Sequence, residues 1–305
     1  MFIRMVVLGL ILIATVADAA AAEIPKVVLF SPSGTVKGVR QVHARFSTPM
    51  VAFGDVRLPA PFQMDCPAGT ARWADPRNWI FDFDADLNAG IRCRFTLRKG
   101  LADAAGLTLR GPREFSFDTG GPSVIESEPW NGNTIDEEQI FILGLDASAT
   151  TKSIEQHARC RADGVNETIG VRVISGPERK SLLEANPNFL RRYARELFKH
   201  RPDQAMTPTS AEDDTVHERI LELIEGADSP VVLVQCKQRL PNGARMALDW
   251  DAGIAAPSGL VTAAPQMLQF VVREAFGVTF RCERINKDAA CIPALPMGLR
   301  FTSPI

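Results

Sequence analysis

The titratable side chains of this 305-residue sequence do not fall into the spacings that catalysis or metal binding requires. Its four histidines are scattered along the chain, and they are His43, His157, His200 and His217. His217-Glu218 begins like the HExxH motif of a zinc hydrolase, but Leu221 stands where the second histidine belongs. No GxSxG elbow, Ser-x-x-Lys pair or glycine-rich phosphate loop occurs. We therefore expect no enzyme activity, no metal site and no cofactor.

Two further pairs of side chains could do chemistry, but their spacing favours structural roles. Asp82 and Asp84 alternate with apolar residues, which predicts an outward sheet face rather than a pair of catalytic acids. Trp73 and Trp79 could form a binding platform. Aromatic residues beside a disulfide in a β-sandwich usually belong to the core, so we expect both rings to be buried.

The six cysteines are the remaining reactive side chains, and their even number favours disulfides. They are Cys66, Cys93, Cys160, Cys236, Cys282 and Cys291. Six cysteines permit 15 pairings. Their distribution along the chain favours the pairs Cys66–Cys93, Cys160–Cys236 and Cys282–Cys291. No CxxC motif or paired histidine accompanies them, so zinc binding is not expected.

The amino terminus predicts export from the cytoplasm. Arg4 precedes an apolar run from Met5 to Val16, and small residues follow, in the three-part pattern of a secretory signal peptide. The apolar run is shorter than the roughly 20 residues of a membrane span. Because the cleavage region contains no cysteine, a lipid anchor is not expected. We expect residues 1–22 to be a cleaved leader. The mature protein is then periplasmic or secreted, with no stable membrane span.

The composition is that of an ordinary folded protein. Hydrophobic residues make up 46% and charged residues 23%, with a formal net charge of -2. Such a chain can bury hydrophobic cores. The near-neutral charge gives no electrostatic reason to expect nucleic acid as a partner.

Strand-period alternation is the dominant pattern in the sequence. Apolar and polar residues alternate over 41–46, 79–84 and 93–98, which puts one face of each segment on a core and the other toward water. Short strands separated by Gly, Pro and Asn turns are typical of an antiparallel β-sandwich. We therefore predict a mostly β protein with Ig-like sandwiches.

The sequence also repeats itself. Seven residues recur with an offset of 153 positions: Leu87, Gly90, Arg92, Phe95, Gly100, Gly106 and Phe117 recur as Leu240, Gly243, Arg245, Leu248, Gly253, Gly259 and Phe270. Nearer the start of each copy, Pro32 and Phe46 correspond to Pro129 and Leu143, an offset of 97. The two offsets predict an insertion of about 56 residues within the second copy.

The predicted insertion, at about 177–226, carries the helical pattern of the chain. Asn186-Pro187 is typical of a helix start. The apolar residues that then share one helix face are Leu190, Tyr193 and Leu197. A second helix is predicted after Ser210, with an acidic first turn and Gly226 as its end. The second sandwich is thus expected to carry a helical hairpin.

The first predicted helix is strongly basic. Its cationic residues are Arg191, Arg192, Arg195, Lys199, His200 and Arg201. They could dock on an anionic membrane surface, but Glu196 interrupts them and the second predicted helix is acidic. We prefer a solvated face or a charge match between the two helices. A contact surface for a neighbouring domain is the sharper alternative.

The repeat register predicts the domain organisation. The parts are a signal peptide at 1–22, a β-sandwich at 23–120, a second at 121–274 and the start of a third domain at 275–305. The third copy is recognised because FTSPI at 301–305 repeats FSTPM at 46–50. A lone strand cannot bury its apolar face, so we expect this third domain to be truncated.

Several segments, in the right order, resemble the amino-terminal region of bacterial α2-macroglobulin-like proteins. They are VRQVHARFSTPM (39–50), RWADPRNWIFDFDADLNAGIRCRFTL (72–97), FDTGGPSV (117–124), QCKQRLPNGARMALDWDAGIAAPSG (235–259) and CIPALPMGLRFTSPI (291–305). The resemblance implies tandem macroglobulin-like β-sandwiches of a periplasmic protease trap. In that family a protease cuts a bait segment, the molecule rearranges, and the attacker is enclosed, often with covalent capture by a Cys–Gln thioester.

The chain departs from this family because it stops before the regions where bait and thioester lie. None of its six cysteines is followed by the x-Glu-Gln of a thioester. The resemblance therefore implies the amino-terminal scaffold of a protease-trapping inhibitor. Its partners would be downstream macroglobulin domains and, for the full-length protein, target proteases. The alternative is an extracytoplasmic Ig-like binding or envelope-structural module.

Overall fold

The computed structural model describes residues 23–52, 59–197 and 229–302. Over these residues the chain is mostly β, with three short helices among its strands. The predicted signal peptide at 1–22 and the predicted helix after Ser210 lie outside the described residues.

The first sandwich is built from eight strands. They are β1 (Val27–Ser31), β2 (Gly34–Thr35), β3 (Gln41–Phe46), β4 (Phe62–Asp65), β5 (Gly69–Trp73), β6 (Asn78–Phe83), β7 (Arg92–Leu97) and β8 (Glu114–Asp118). One four-stranded sheet has the order β1-β3-β6-β5 and the other the order β2-β8-β7-β4. Alternate residues of β3, β6 and β7 are buried, as their period-two pattern predicts.

The core of the first sandwich is aromatic. Phe62 lies 5.0 Å from Trp79 between ring centroids, and Phe81 lies 6.3 Å from Phe95 across the two sheets. Burying one such phenylalanine contributes about 1.5–3 kcal/mol. Trp73 and Trp79 belong to this core, which confirms the prediction that they are buried.

The second sandwich begins after Pro122 and has the same strand plan. Its elements are β9 (Val124–Glu128), β10 (Thr134–Ile135), β11 (Ile140–Leu145), α1 (Thr151–His157), β12 (Ala158–Ala162), β13 (Ile169–Ile174), α2 (Gly176–Glu184), α3 (Pro187–Leu197), β14 (Val231–Cys236), β15 (Arg245–Trp250) and β16 (Gln266–Val272). The orders β9-β11-β14-β13 and β10-β16-β15-β12 reproduce those of the first sandwich. A short pairing of β12 with β13 joins the two halves into one eight-stranded sheet.

Backbone details confirm the repeat of 153 residues. Strand β15 begins 153 positions after β7. The isolated bridge between Ala102 and Thr108 recurs between Ala255 and Val261 at the same offset. The recurring glycines all have positive φ, a conformation that favours glycine; they are Gly90, Gly100, Gly106, Gly243, Gly253 and Gly259.

One predicted equivalence is wrong by two residues. Phe46 pairs with Val27 in the first copy, and Leu145 pairs with Val124 in the second, each beside an irregularity in the ladder. Leu145, not Leu143, is therefore the structural equivalent of Phe46. Apolar residues on one strand face recur every two positions, so the sequence pattern leaves a shift of two undetermined.

The two sandwiches have separate hydrophobic cores, and polar contacts connect the two domains. Their buried clusters share no residue among those described. Lys37 of the first sandwich donates to the Gly121 carbonyl and to Ser123 Oγ, at 2.9 and 2.6 Å, and also pairs with Asp146. A Cβ on Gly121 would lie 2.1 Å from the backbone nitrogen of Thr262. The domain limits themselves stay predictions.

The helical insertion packs on the outer face of the second sandwich. Helix α3 starts at the predicted Asn186-Pro187 position. Its buried face rests on strand residues, and this third cluster includes Ile142, Ile174, Val231 and Leu233 together with Phe189, Leu190 and Tyr193. The Tyr193 hydroxyl donates to the Leu145 carbonyl at 2.7 Å.

Helix α1 was not predicted, and α2 lies within the predicted helical insertion at about 177–226 but was not predicted as a separate helix. Helix α1 has seven residues, with Ile154 as its buried apolar residue, and α2 buries Leu183. One buried apolar side chain per helix leaves no apolar stripe for a periodicity argument to detect.

Two strands close the described chain as a hairpin, β17 (Val278–Arg281) and β18 (Gly298–Phe301). Cys282–Cys291 lies in its connection, with a Cα–Cα distance of 5.6 Å. Cys66–Cys93 joins the end of β4 to β7, and Cys160–Cys236 joins β12 to β14. These are the three predicted pairings. Disulfides persist in oxidising compartments, so the chain is a non-cytoplasmic protein.

No helix in the described ranges combines the length and the apolar character needed to cross a bilayer.

The fit of α3 against β11 leads to a stability prediction. A Cβ on Gly144 would lie 2.2 Å from Cδ2 of Tyr193, so Gly144→Ala should displace the ring and destabilise the second sandwich by about 1–3 kcal/mol. Urea unfolding measures the change.

Gly170→Ala in β13 is the matched control, because its Cβ would meet Lys237 Cδ at an ordinary 3.6 Å. Equal unfolding midpoints for the two variants would show that α3 is not docked as described.

Candidate interaction surface

The histidines that the sequence analysis considered are not assembled into a site. His43 Nε2 lies 2.9 Å from Asn78 Oδ1, and the His157 ring packs against Gly253. His200 and His217 lie outside the described residues. In the part of the chain that the structure describes, no three His, Cys, Asp or Glu side chains are grouped as metal ligands would be.

Asp82 lies on the outward face of β6, and Asp84 follows the end of this strand, as predicted. Asp82 accepts hydrogen bonds from Gln41 Nε2 at 2.6 Å and from Arg72 Nε at 3.0 Å. These two donors, Gln41 first, lower the pKa of Asp82. Asp84 is exposed. The two carboxylates therefore belong to a solvated sheet face.

One arginine of the basic helix forms ion pairs with the sheet beneath it. Arg192 pairs with Glu126 at 3.1 Å and with Glu128 at 2.5 Å. Both carboxylates belong to β9, so these ion pairs join the helix to the sheet. The second predicted helix lies outside the described residues, so the predicted charge match between the two helices stays a prediction. Arg191 is exposed, and its guanidinium donates to Asn188 Oδ1 of the same helix. No sequence rule identifies this partnership, because β9 and α3 are more than 60 positions apart.

The carboxy-terminal hairpin presents an uncovered apolar face. Val278 pairs with Phe301, and Phe280 pairs with Leu299, so these four side chains share one face of the two-stranded sheet. Val278, Phe280 and Leu299 are 56%, 50% and 60% exposed. Phe276 extends the face by stacking on Phe301, with ring centroids 6.1 Å apart.

The same position is buried in the first sandwich. Phe46 begins the FSTPM motif that FTSPI repeats, and its ladder partner is Val27, as Val278 is the partner of Phe301. There Phe46 is 1% exposed and contacts Trp73 across 5.5 Å. The hairpin thus shares with β1 and β3 the pairing of a motif phenylalanine with a valine, but its apolar side chains are exposed. The alternation of apolar and polar residues in β17 and β18 is the sequence signal for this apolar face.

A buried carboxylate fixes the start of the linker that leads to this hairpin. Glu137, between β10 and β11, accepts from Asn242 Nδ2 at 2.6 Å and from Arg273 Nε at 2.8 Å. Arg273 is the first residue after β16 and also pairs with Asp136 at 2.9 Å. The pKa of Glu137 is lowered to about 2 because its own backbone N–H, Asn242 and Arg273 all donate to its carboxylate.

Comparisons with known proteins identify no family. No protein-family profile and no curated protein matches the chain. Solved L,D-transpeptidases from Mycobacterium smegmatis and Mycobacterium tuberculosis H37Rv are 16% and 17% identical, with TM-scores of 0.24 and 0.22. Each alignment covers 50% of this chain, and they cover 65% and 60% of those proteins.

The S-layer protein rSbsC is 11% identical with a TM-score of 0.22, over 92% of this chain and 32% of that protein. The chain spans less than two thirds of the length of each of these structures. Their TM-scores are too low to bear on fold or function.

The buried Glu137 carboxylate predicts acid sensitivity. A carboxyl group whose folded pKa is depressed stabilises the fold above its unfolded pKa, and this contribution is lost as the pH falls through the folded value. Between about pH 4.5 and about pH 2, the wild-type chain should lose stability as Glu137 becomes protonated. Glu137→Gln should lower stability at pH 7 and flatten the pH dependence within this window, as urea unfolding at stepped pH would show.

Glu138→Gln is the matched control, since Glu138 is the exposed neighbour. If both variants kept the wild-type pH dependence, Glu137 would not be the group responsible.

Proposed function

We propose that this chain is the amino-terminal scaffold of a periplasmic protease-trapping inhibitor of the α2-macroglobulin type, without bait or thioester of its own. The sequence resemblance over residues 25–305 supports the family assignment. The uncovered β17–β18 hairpin is the structural observation that carries the proposal. Two sandwiches of one topology followed by the opening strands of another are what an array of such domains requires.

The contribution of the chain under this proposal is mechanical. A trap that encloses a protease needs domains that keep their shape while other parts of the molecule move. Each sandwich carries its own disulfide, and Lys37 of the first sandwich contacts Gly121, Ser123 and Asp146 of the second. Under the proposal, the two sandwiches act together as one arm. Chemical capture belongs to other segments of the inhibitor.

The hairpin would join this arm to the next domain. Four apolar side chains on one face of two strands form half of a sandwich core, and a two-stranded sheet alone is marginally stable. In the complete inhibitor, strands that follow the hairpin would cover this face as β4, β7 and β8 of the opposite sheet contribute to covering β1 and β3.

An extracytoplasmic Ig-like binding or envelope-structural module is the alternative, and it shares the same fold. The two functions differ in their response to a protease. A trap encloses its attacker, so the attacker keeps access to small substrates and loses access to large ones. A binding or structural module leaves both activities unchanged.

The experiment uses the complete gene product. When trypsin is incubated with the complete protein, its cleavage of casein should be inhibited. Its hydrolysis of a small chromogenic peptide should continue. Residues 23–305 alone should inhibit neither reaction. Unchanged casein cleavage in the presence of the intact complete protein would reject the protease-trap function and favour the envelope module.

A pair of substitutions tests the scaffold role of the hairpin. Phe280→Asp places a carboxylate on the apolar face, and in the complete protein it should destabilise the adjoining domain by about 3–5 kcal/mol, the cost of losing a buried phenylalanine. Differential scanning calorimetry and loss of trapping report the effect. Thr279→Asp, on the opposite face of β17, should change neither. Wild-type behaviour of Phe280→Asp would show that no domain packs on this face.

A further inference from the structure

Trp130 is the tryptophan that stands outside the hydrophobic cores. The chain has four tryptophans; Trp73, Trp79 and Trp250 are buried, whereas Trp130 is 52% exposed. The Arg192 guanidinium carbon lies 4.8 Å from the Trp130 ring centroid, a cation–π contact that occupies one face of the ring. About half of the Trp130 surface remains accessible to solvent. The result is a flat aromatic surface, backed by a cation, on the outside of the second sandwich.

The surroundings hold this ring in place. Trp130 belongs to the turn between β9 and β10, where Gly132 N donates to the Gln269 carbonyl at 2.7 Å and Asn131 Oδ1 accepts from Gln269 N at 2.6 Å. Arg192 is held by Glu126 and Glu128. A platform fixed before binding loses little conformational entropy when a ligand arrives.

Two grooves meet at Trp130 and Arg192. Their volumes are about 400 and 380 Å³, within the range of small-molecule sites, about 300–1,000 Å³. The first groove runs along β9 and reaches Asn131. The second lies against the start of α3, and its lining residues include Asn133 and Asn186; the Asn186 amide nitrogen also donates to the Leu182 carbonyl at 2.7 Å. Side-chain amides both donate and accept hydrogen bonds.

We propose that this surface binds a neutral, N-acetylated oligosaccharide with glucose-like ring geometry. Sugar rings whose hydroxyl groups are all equatorial present a flat C–H face, which stacks on an open indole. Hydroxyl and acetamido groups match the amide and carboxylate side chains that line both grooves. Among the lining residues that the structure describes, Arg192 is the cation and Glu126 and Glu128 are carboxylates, so this lining carries a net negative charge, which disfavours acidic sugars.

The geometry favours a sugar over a proline-rich peptide, which also stacks on tryptophan. Proline-rich ligands dock in grooves lined by several aromatic side chains. Here Trp130 is the exposed aromatic ring of the two grooves, and Phe189, which also lines one of them, is buried. The inference is independent of the proposed scaffold function, since nothing in protease trapping uses this surface.

Tryptophan fluorescence tests the site directly, because one of the four rings is accessible. Titrating the mature, disulfide-bonded chain with the tetramer of β-1,4-linked N-acetylglucosamine should change the emission and reduce acrylamide quenching. A tetramer of galacturonic acid should do neither. If the N-acetylglucosamine tetramer leaves quenching unchanged, or if a decaproline peptide protects the ring instead, the proposal is overturned.

Substitutions locate the binding. Trp130→Ala should weaken the affinity measured by calorimetry by about tenfold or more, a factor that corresponds to about 1.4 kcal/mol. Arg192→Lys should weaken it less, because the cation remains while the paired contacts to Glu126 and Glu128 are lost. Phe276→Ala removes another exposed aromatic ring far along the chain and should leave the affinity unchanged. Circular dichroism confirms that Trp130→Ala is folded, and wild-type affinity in that folded variant would refute the assignment.

Discussion

The need to cover the apolar face of every sheet governs this molecule. A β-sheet with one apolar face is stable only when another layer excludes water from it. In each sandwich the second sheet is that layer, and the outer face of β11 and β14 has α3 as a further layer. The β17–β18 hairpin also has apolar residues on one face, but no second layer packs on that face in the described part of the chain. Its apolar face therefore remains exposed, unlike those of the two sandwiches.

The helical insertion follows from this constraint. Five of the six residues of β11 and five of the six of β14 are buried, so these strands are buried on both faces, unlike the alternating β3 and β6 of the first sandwich. An uninterrupted apolar run is the sequence signal of such a strand. Without α3, Ile142 and Leu233 would face water. Gly144 leaves room for the Tyr193 ring, so the helix and the strand fit each other closely.

The same docking creates polar features that neither partner has alone. Arg192 reaches β9 because its helix lies across the sheet, and its guanidinium then backs Trp130. Glu137 similarly gathers Asn242 and Arg273 from distant strands. Buried charges need such partners, because an unpaired charge away from water is strongly destabilising. Hydrogen bonds within the fold therefore account for the lowered pKa values of Asp82 and Glu137, whereas Trp130 stays about half exposed.

The sequence by itself determined the local features and their repetition. Period-two alternation located β3, β6 and β7, the offset of 153 identified the second copy, and the order of the cysteines indicated the three disulfides. These signals are local or periodic, so they can be detected without coordinates. Only the tertiary structure decided the equivalence of Leu145 with Phe46, the docking of α3 over Gly144 and the meeting of Arg192 with Trp130. Each of these depends on strand register or on contacts between distant residues, and neither the period nor the type of a residue specifies its partner across the fold.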